Sequence, residues 1–216
     1  DIFLNFQTNN IFQECIEKAE LENSWFSKYN IEYCLLALSK MLSVDQLRQW
    51  SSLYNMDSSS KKVGVIIPAN LPLVGFYDFL CVLLSGNIFI GKLSSANTIL
   101  LPFVADILCD INPKFRNRIF FQNTIDNVDL LIATGNDNSG DYFNYLFQNK
   151  RKIIRKNRNS IALLTGFETD QDHVRLANDI FMYFGLGCRS VSKIFIPKKF
   201  DFDCLKLIFK NSFSIT

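Results

Sequence analysis

From Lys62 onward the chain takes up an alternation that few folds can accommodate. Short apolar runs of strand length are each followed by a stretch with helical spacing. The runs are KVGVIIP (62–68), NIFIGKL (87–93), RIFFQN (118–123), VDLLIATG (128–135), SIALLTG (160–166) and Ser190–Ile196. Residues 71–86, 97–111, 139–149, 170–183 and 202–209 carry the helical patterns. Pro72 is tolerated in a first helical turn, and Pro102 is expected to kink or restart its helix. Strands and helices alternating at this length build βαβ units and a mostly parallel sheet. Continuous apolar strands fit such a sheet, because helices cover both of its faces.

The chain before Lys62 is different. Ile11, Phe12, Cys15, Ile16 and Ala19 recur at helical spacing, as do Ile31, Cys34, Leu35, Leu38 and Leu42. Ser43 is placed to cap a helix over Val44–Leu53, with Gln46 in position for a capping box, and DSSSKK (57–62) is a loop. The expected class is therefore α/β, with a helical N-terminal segment over 1–60, a ligand-binding α/β domain over 61–160 and a further α/β domain beginning at 161 and truncated at 216.

Composition excludes several alternatives. The chain is 48% hydrophobic and 20% charged, which supports a core and argues against disorder. Its 21 phenylalanines fall mostly within apolar runs and are expected to pack there. A net charge of +2 gives no reason to expect a nucleic-acid partner. The six cysteines are scattered with no CxxC pair, and His173 is the only histidine, so neither a disulfide scaffold nor a metal site is expected. His173 is given no role, and Cys15, Cys34, Cys81, Cys109 and Cys204 fall on apolar positions that read as core. The apolar stretch Leu71–Gly91 is broken by Asp78 and by Ser85-Gly86-Asn87, so a buried helix and strand fit it better than a transmembrane segment. No signal peptide pattern is present, and reduced thiols in a cytoplasm are the simplest reading. The absence of an initiator Met and the abrupt end at Thr216 lead to the expectation of a fragment.

Ligands of parallel sheets bind beyond the carboxyl ends of the strands, so four turns stand out. In IIPANLPL (66–73), Asn70 is either a helix cap or an amide donor to a substrate oxygen. In GKLSSANT (91–98), Lys92 ends a strand, and Ser94, Ser95, Asn97 and Thr98 follow; the set suits a ribose or phosphate, or simply a solvated lysine and a cap. In ATGNDNSGDYF (133–143), Gly135 and Gly140 frame a loop that opens a helix, a weak signal for phosphate binding. In FGLGCRSVSKIFIP (184–197), Gly185 and Gly187 free the backbone around Cys188. A thiol presented there beside its own N–H would be a nucleophile with a built-in oxyanion donor, and Arg189 or a helix end would favour the thiolate. A buried structural cysteine is the plainer alternative. A basic run, Lys150–Arg158, holds six Lys or Arg in nine residues and is either a solvated face or an attraction for ligand phosphates.

Taken together and in order, these motifs resemble the aldehyde dehydrogenase superfamily. GVIIPANLPL is similar to its strand–Pro–x–Asn–x–Pro turn, SGNIFIGKLSS to its Gly-Asn-strand-Lys segment, TGNDNSG to its cofactor loop and GLGCRSVSKIFIP to its nucleophile strand. IPANLPLVGFYDFLCVLLSGN, IIRKNRNSIALLTG and DIFMYFGLGCRSVSKIFIP more narrowly resemble the fatty acyl-CoA reductases of the bacterial bioluminescence type. The resemblance implies a Rossmann-like cofactor domain and the start of an α/β catalytic domain. It implies that Cys188 attacks an acyl-CoA thioester and expels coenzyme A, with Asn70 and the Cys188 N–H stabilising the oxyanion. It implies that NADPH reduces the enzyme thioester to an aldehyde, with Lys92 holding the adenine-side ribose, Gly135 and Asn136 against the pyrophosphate, Gly140 letting that helix pack, and Ser94 and Ser95 also on the cofactor side. An acyl-protein synthetase, a thioesterase and a homo-oligomer are the partners it leaves open. Acyl phosphate reduction, aldehyde oxidation and a non-catalytic scaffold are the alternatives.

Two departures from the superfamily pattern carry weight. Aldehyde-oxidising members place a glutamate before the nucleophile strand to activate water, whereas Ile154–Ser160 holds no carboxylate, which favours a reductase that spares its thioester from hydrolysis. Where NAD-preferring relatives often have an acid, three residues after Lys92, this chain has Ser95, so NADPH is expected to be accepted.

Overall fold

The computed structural model describes residue 6 and residues 9–54, 60–200 and 202–213, without the side chains of residues 204 and 211–213. Much of the predicted 57–62 loop and the side chain of Cys204 lie outside the described residues. The chain forms two compact units, residues 1–156 and 157–216.

The first unit is built on a five-stranded sheet of β1 (Lys62–Ile67), β2 (Ile88–Leu93), β3 (Ile119–Phe121), β4 (Leu130–Thr134) and β5 (Arg151–Arg155), in the order β3-β2-β1-β4-β5. All four pairings are parallel, with Val63 in register with both Phe89 and Leu130. Helices α1 (Asn10–Glu22), α2 (Lys28–Met41) and α3 (Val44–Ser51) precede the sheet; α4 (Phe76–Leu84), α5 (Leu100–Ile111) and α6 (Asp137–Leu146) connect its strands. Alternation along the strands divides the core. Val63, Val65 and Ile67 face a cluster with Phe12, Ile16, Ile31, Phe79 and Leu101, while Leu131 and Ala133 face Ile125, Val128 and Phe147. The order of the strands reverses between β1 and β4, which makes the carboxyl ends of those strands the natural crevice.

The N-terminal helices form where their sequence places them, although α3 ends at Ser51 rather than at Leu53. The Asn9 side chain accepts hydrogen bonds from the N–H groups of Ile11 and Phe12, and that of Ser43 accepts from the Gln46 N–H. Phe12, Cys15, Ile16 and Ala19 bury one face of α1. Ile11 does not join them and is 66% exposed, because it lies about a quarter of a turn off that stripe.

Several elements differ from expectation. Helix α6 begins at Asp137 rather than at 139. Helix α4 begins at Phe76 rather than at residue 71, and Pro72 lies in the turn before it. Leu73 there has a left-handed backbone (φ 52°), which a helix cannot contain, while its side chain is held in the core. Helix α5 begins at Leu100 rather than at 97, so Pro102 falls within its first turn and needs no kink. The basic run, which carries no apolar alternation, supplies the fifth strand: β5 pairs with β4 along its length.

The second unit contains a parallel pair, β6 (Ser160–Leu163) and β7 (Val191–Phe195), with α7 (Asp170–Phe181) and α8 (Asp203–Phe213). Its core gathers Leu164, Leu176 and Leu205, with Ala162, Ile194 and Phe209 against them. Thr169 and Asp172 form a reciprocal capping box at the start of α7. Among the described residues no helix is long and apolar enough to cross a membrane.

Candidate active site

The turn after β1 carries Asn70. Helix α4 starts at Phe76, with Gly75 in the cap position, so Asn70 is too far upstream to be its cap and that alternative is excluded. The turn is irregular and partly buried, so its carbonyls need partners other than a ladder. Asn97 donates from its side-chain amide to the Pro68 carbonyl (2.8 Å), Asn23 to the Ala69 carbonyl (3.0 Å), and the Cys34 thiol to the Pro72 carbonyl (3.5 Å). Asn97 and Asn23 are only 2% and 7% exposed. Asn70 therefore sits on a backbone held by side chains from α1, α2 and the β2–α5 turn. No local signal marks Asn23, since its two acceptors lie 46 and 73 residues further along the chain.

The second turn follows β2. Its Ser94 N–H donates to the Ile67 carbonyl (3.1 Å), continuing the ladder, and the Asn97 N–H closes on the Ser94 carbonyl (3.0 Å). Asn23 reaches this turn as well, donating to the Ala96 carbonyl (3.1 Å). One buried amide thus bridges the two turns. Lys92 and Ser95 are exposed and line a groove of about 860 Å³ together with Thr98, Pro102, Gln122 and Thr124. On its other side Lys92 borders a cavity of about 360 Å³, walled by Thr124, Asp126, Tyr142, Phe143 and Lys150.

The third turn follows β4. The Gly135 N–H donates to the Arg155 carbonyl (3.1 Å), and the Asn136 side chain caps α6 by accepting from the Ser139 N–H (2.8 Å). A Cβ on Gly140 would meet the Lys156 side chain at 2.7 Å, so glycine allows α6 to close on that side chain. Asp137 lies in the first turn of α6 and already sets a carboxylate on the helix dipole. The basic run is largely committed to the protein. The Lys150 ammonium donates to the Asp126 and Val128 carbonyls, and that of Lys152 to the Asn144 and Phe147 carbonyls at the end of α6. Arg155 pairs with the buried Asp78 (2.6 Å) and Lys156 with Asp141 (2.5 Å).

Asn70, Lys92, Ser94, Ser95, Gly135 and Asn136 thus stand at the carboxyl ends of one parallel sheet, with Gly140 behind them on α6. Cys188 belongs to the second unit. After α7 the backbone passes through three successive left-handed residues, Tyr183 (φ 55°), Phe184 (φ 56°) and Gly185 (φ 71°). Two of these are aromatic residues, which avoid that conformation, so the bend is strained. Cys188 then occupies a tight turn closed by the Ser190 N–H on the Gly187 carbonyl (3.0 Å). Its side chain is exposed, and among the described residues no acceptor takes its N–H. The other described cysteines are at least partly buried. Burial pushes the Cys15 thiol up to about 11 and raises those of Cys81 and Cys109.

In fold the chain is similar to a NAD-dependent benzaldehyde dehydrogenase from Corynebacterium glutamicum, with a TM-score of 0.65, 16% identity and coverage of 94% of this chain and 50% of that one. It is similar to a NAD-dependent aldehyde dehydrogenase from Sinorhizobium meliloti (TM-score 0.64, 14% identity, 92% and 44%). A third is succinic semialdehyde dehydrogenase from Streptococcus pyogenes in complex with NADP+ (TM-score 0.56, 16% identity, 74% and 38%). The chain therefore has an aldehyde-dehydrogenase-like fold and spans half or less of the length of these structures. A comparison with curated proteins finds no match. The sequence matches the family model for acyl-CoA reductase (LuxC) over residues 9–206, a span that takes in all four turns, and the chain belongs to that family.

Proposed function

We propose that this chain carries the nucleophile and the cofactor-binding turns of an NADPH-dependent fatty acyl-CoA reductase. The observation that carries the reading is Cys188, an exposed thiol on a tight turn behind a strained left-handed bend, in a chain of the acyl-CoA reductase family. The Cys188 thiolate adds to the thioester carbonyl carbon, and the carbon–sulfur bond to coenzyme A breaks. Coenzyme A leaves as its thiol after taking up a proton, and the acyl group stays on the Cys188 sulfur. Asn70 is assigned an amide donor to the carbonyl oxygen as it becomes an oxyanion, and the Cys188 N–H the other. The bonds from Asn23 and Asn97 support the role of Asn70, because they anchor the backbone at Ala69 and Pro68 that carries it, and a site set up before the reaction costs less reorganisation during it.

Reduced nicotinamide, when bound, supplies the hydride that converts the acyl-enzyme to aldehyde. The residues present fit such a cofactor: Lys92 offers a cation at a groove that also presents Thr98, Gln122 and Thr124, and Ser95 adds no charge against a 2′-phosphate. Ser94, Gly135, Asn136 and Gly140 complete the proposed cofactor side. The basic run is assigned no part in phosphate binding, because four of its side chains already hold the protein together. The absence of a carboxylate from Ile154–Ser160 leaves no base there to activate water, which favours reduction over aldehyde oxidation.

The test uses the full-length protein with an acyl-CoA and no reductant. Mass spectrometry is expected to find one acyl group on the Cys188 peptide, and its release as aldehyde on adding NADPH. An unmodified Cys188 peptide overturns the reading.

A further inference from the structure

Ser95 puts no acid on the groove it lines, yet a carboxylate from elsewhere in the chain bonds one of that groove's lining residues, Thr98. Glu22, the last residue of α1, accepts the Thr98 N–H on Oε2 (2.8 Å) and the Thr98 hydroxyl on Oε1. Thr98 lines the same groove as Lys92 and Ser95. The backbone beside it is anchored, since the next residue, Asn23, is buried and donates to both the Ala69 and the Ala96 carbonyls. Glu22 also takes up Thr98 N–H, a donor just before the first turn of α5, where an incoming anion would be favoured.

We infer that Glu22, through its bonds to Thr98 at the groove wall, is a specificity-determining residue that weighs against a 2′-phosphorylated cofactor. The inference rests on the reading that this groove takes the adenosine side of a nicotinamide cofactor. A carboxylate near a 2′-phosphate raises the free energy of NADPH binding, while NADH, lacking that phosphate, is nearly indifferent to it. The two Thr98 donors soften this effect by partly neutralising the carboxylate.

The experiment is calorimetric titration of NADPH and of NADH into the full-length wild-type protein, Glu22→Gln and Thr98→Val. Glutamine keeps a hydrogen-bond acceptor for the Thr98 N–H and removes the charge, so its ratio of affinities should move toward NADPH by about tenfold. Valine removes one neutralising donor and leaves the charge, so its ratio should move the other way, by about two- to threefold. Opposite movements are the expected result, because a general loosening of the turn would move both variants in one direction. Ratios that stay at the wild-type value, or move together, overturn the role of Glu22 and leave the groove assignment standing. If the wild-type protein binds neither cofactor, the groove assignment falls and the inference with it.

Discussion

At the scale of single residues, the thiols separate by surroundings. An alkylating agent needs an accessible thiolate; desolvation raises the Cys15, Cys81 and Cys109 thiols, whereas Cys188 is exposed. Brief iodoacetamide treatment of the native protein should label Cys188 ahead of these three, read by peptide mass mapping, and even labelling of all four would count against a presented nucleophile. Asn70→Ala should lower kcat by about 100-fold with a much smaller effect on KM, the signature of a donor used in the transition state. Steady-state kinetics checks this, and a loss confined to KM would remove Asn70 from the oxyanion role. Glu168 allows a pH prediction. The Thr165 N–H first, and then the Thr165 hydroxyl and the Gly166 N–H, hold its carboxyl down to about 2 from an ordinary 4.5. A lowered folded value stabilises the native state above the unfolded value, and that stabilisation is lost as pH falls through about 2. The stability deficit of Glu168→Gln should therefore be full above pH 5 and vanish toward pH 2, as followed by urea unfolding across pH.

At the scale of elements, the periodicity of the sequence finds most helices and strands, but it starts α4 and α5 too early and α6 two residues late, and it misses one strand. Helices α4 and α5 begin late because the turns before them are held by Asn23, Asn97 and Glu22, contacts no local pattern encodes. Strand β5 is hidden because its lysines and arginines mask Ile153 and Ile154; its charges find partners only once α4, α6 and β4 are beside it. The pair between Arg155 and the buried Asp78 ties this edge strand to α4. Asp78→Ala should cost about 2 kcal/mol, below the usual range for a broken buried pair because Arg155 is partly exposed. Urea unfolding measures it, and the double variant with Arg155→Ala should lose less than the sum of the single losses.

At the scale of the whole chain, helices α1 and α2 are part of the first unit's core. Phe12, Ile16 and Ala19 pack into the same cluster as Val63, Val65 and Leu101, and Asn23 bridges the Asn70 turn and the proposed cofactor turn after β2. Removing residues 1–27 should therefore abolish cooperative unfolding of this unit in a calorimetric scan, since burial of each large apolar side chain contributes about 1.5–3 kcal/mol. The sequence alone determined the α/β class, the parallel sheet, the order of the four turns and the candidate thiol, because periodicity and turn chemistry are local properties of the chain. Only the tertiary structure decided that Asn70 is no helix cap, that Arg151–Arg155 of the basic run is a strand, and that Glu22 and Asn23 reach turns far along the sequence. Each of these depends on which distant group fills a buried hydrogen bond or ion pair, and such partners are chosen by packing rather than by spacing along the chain.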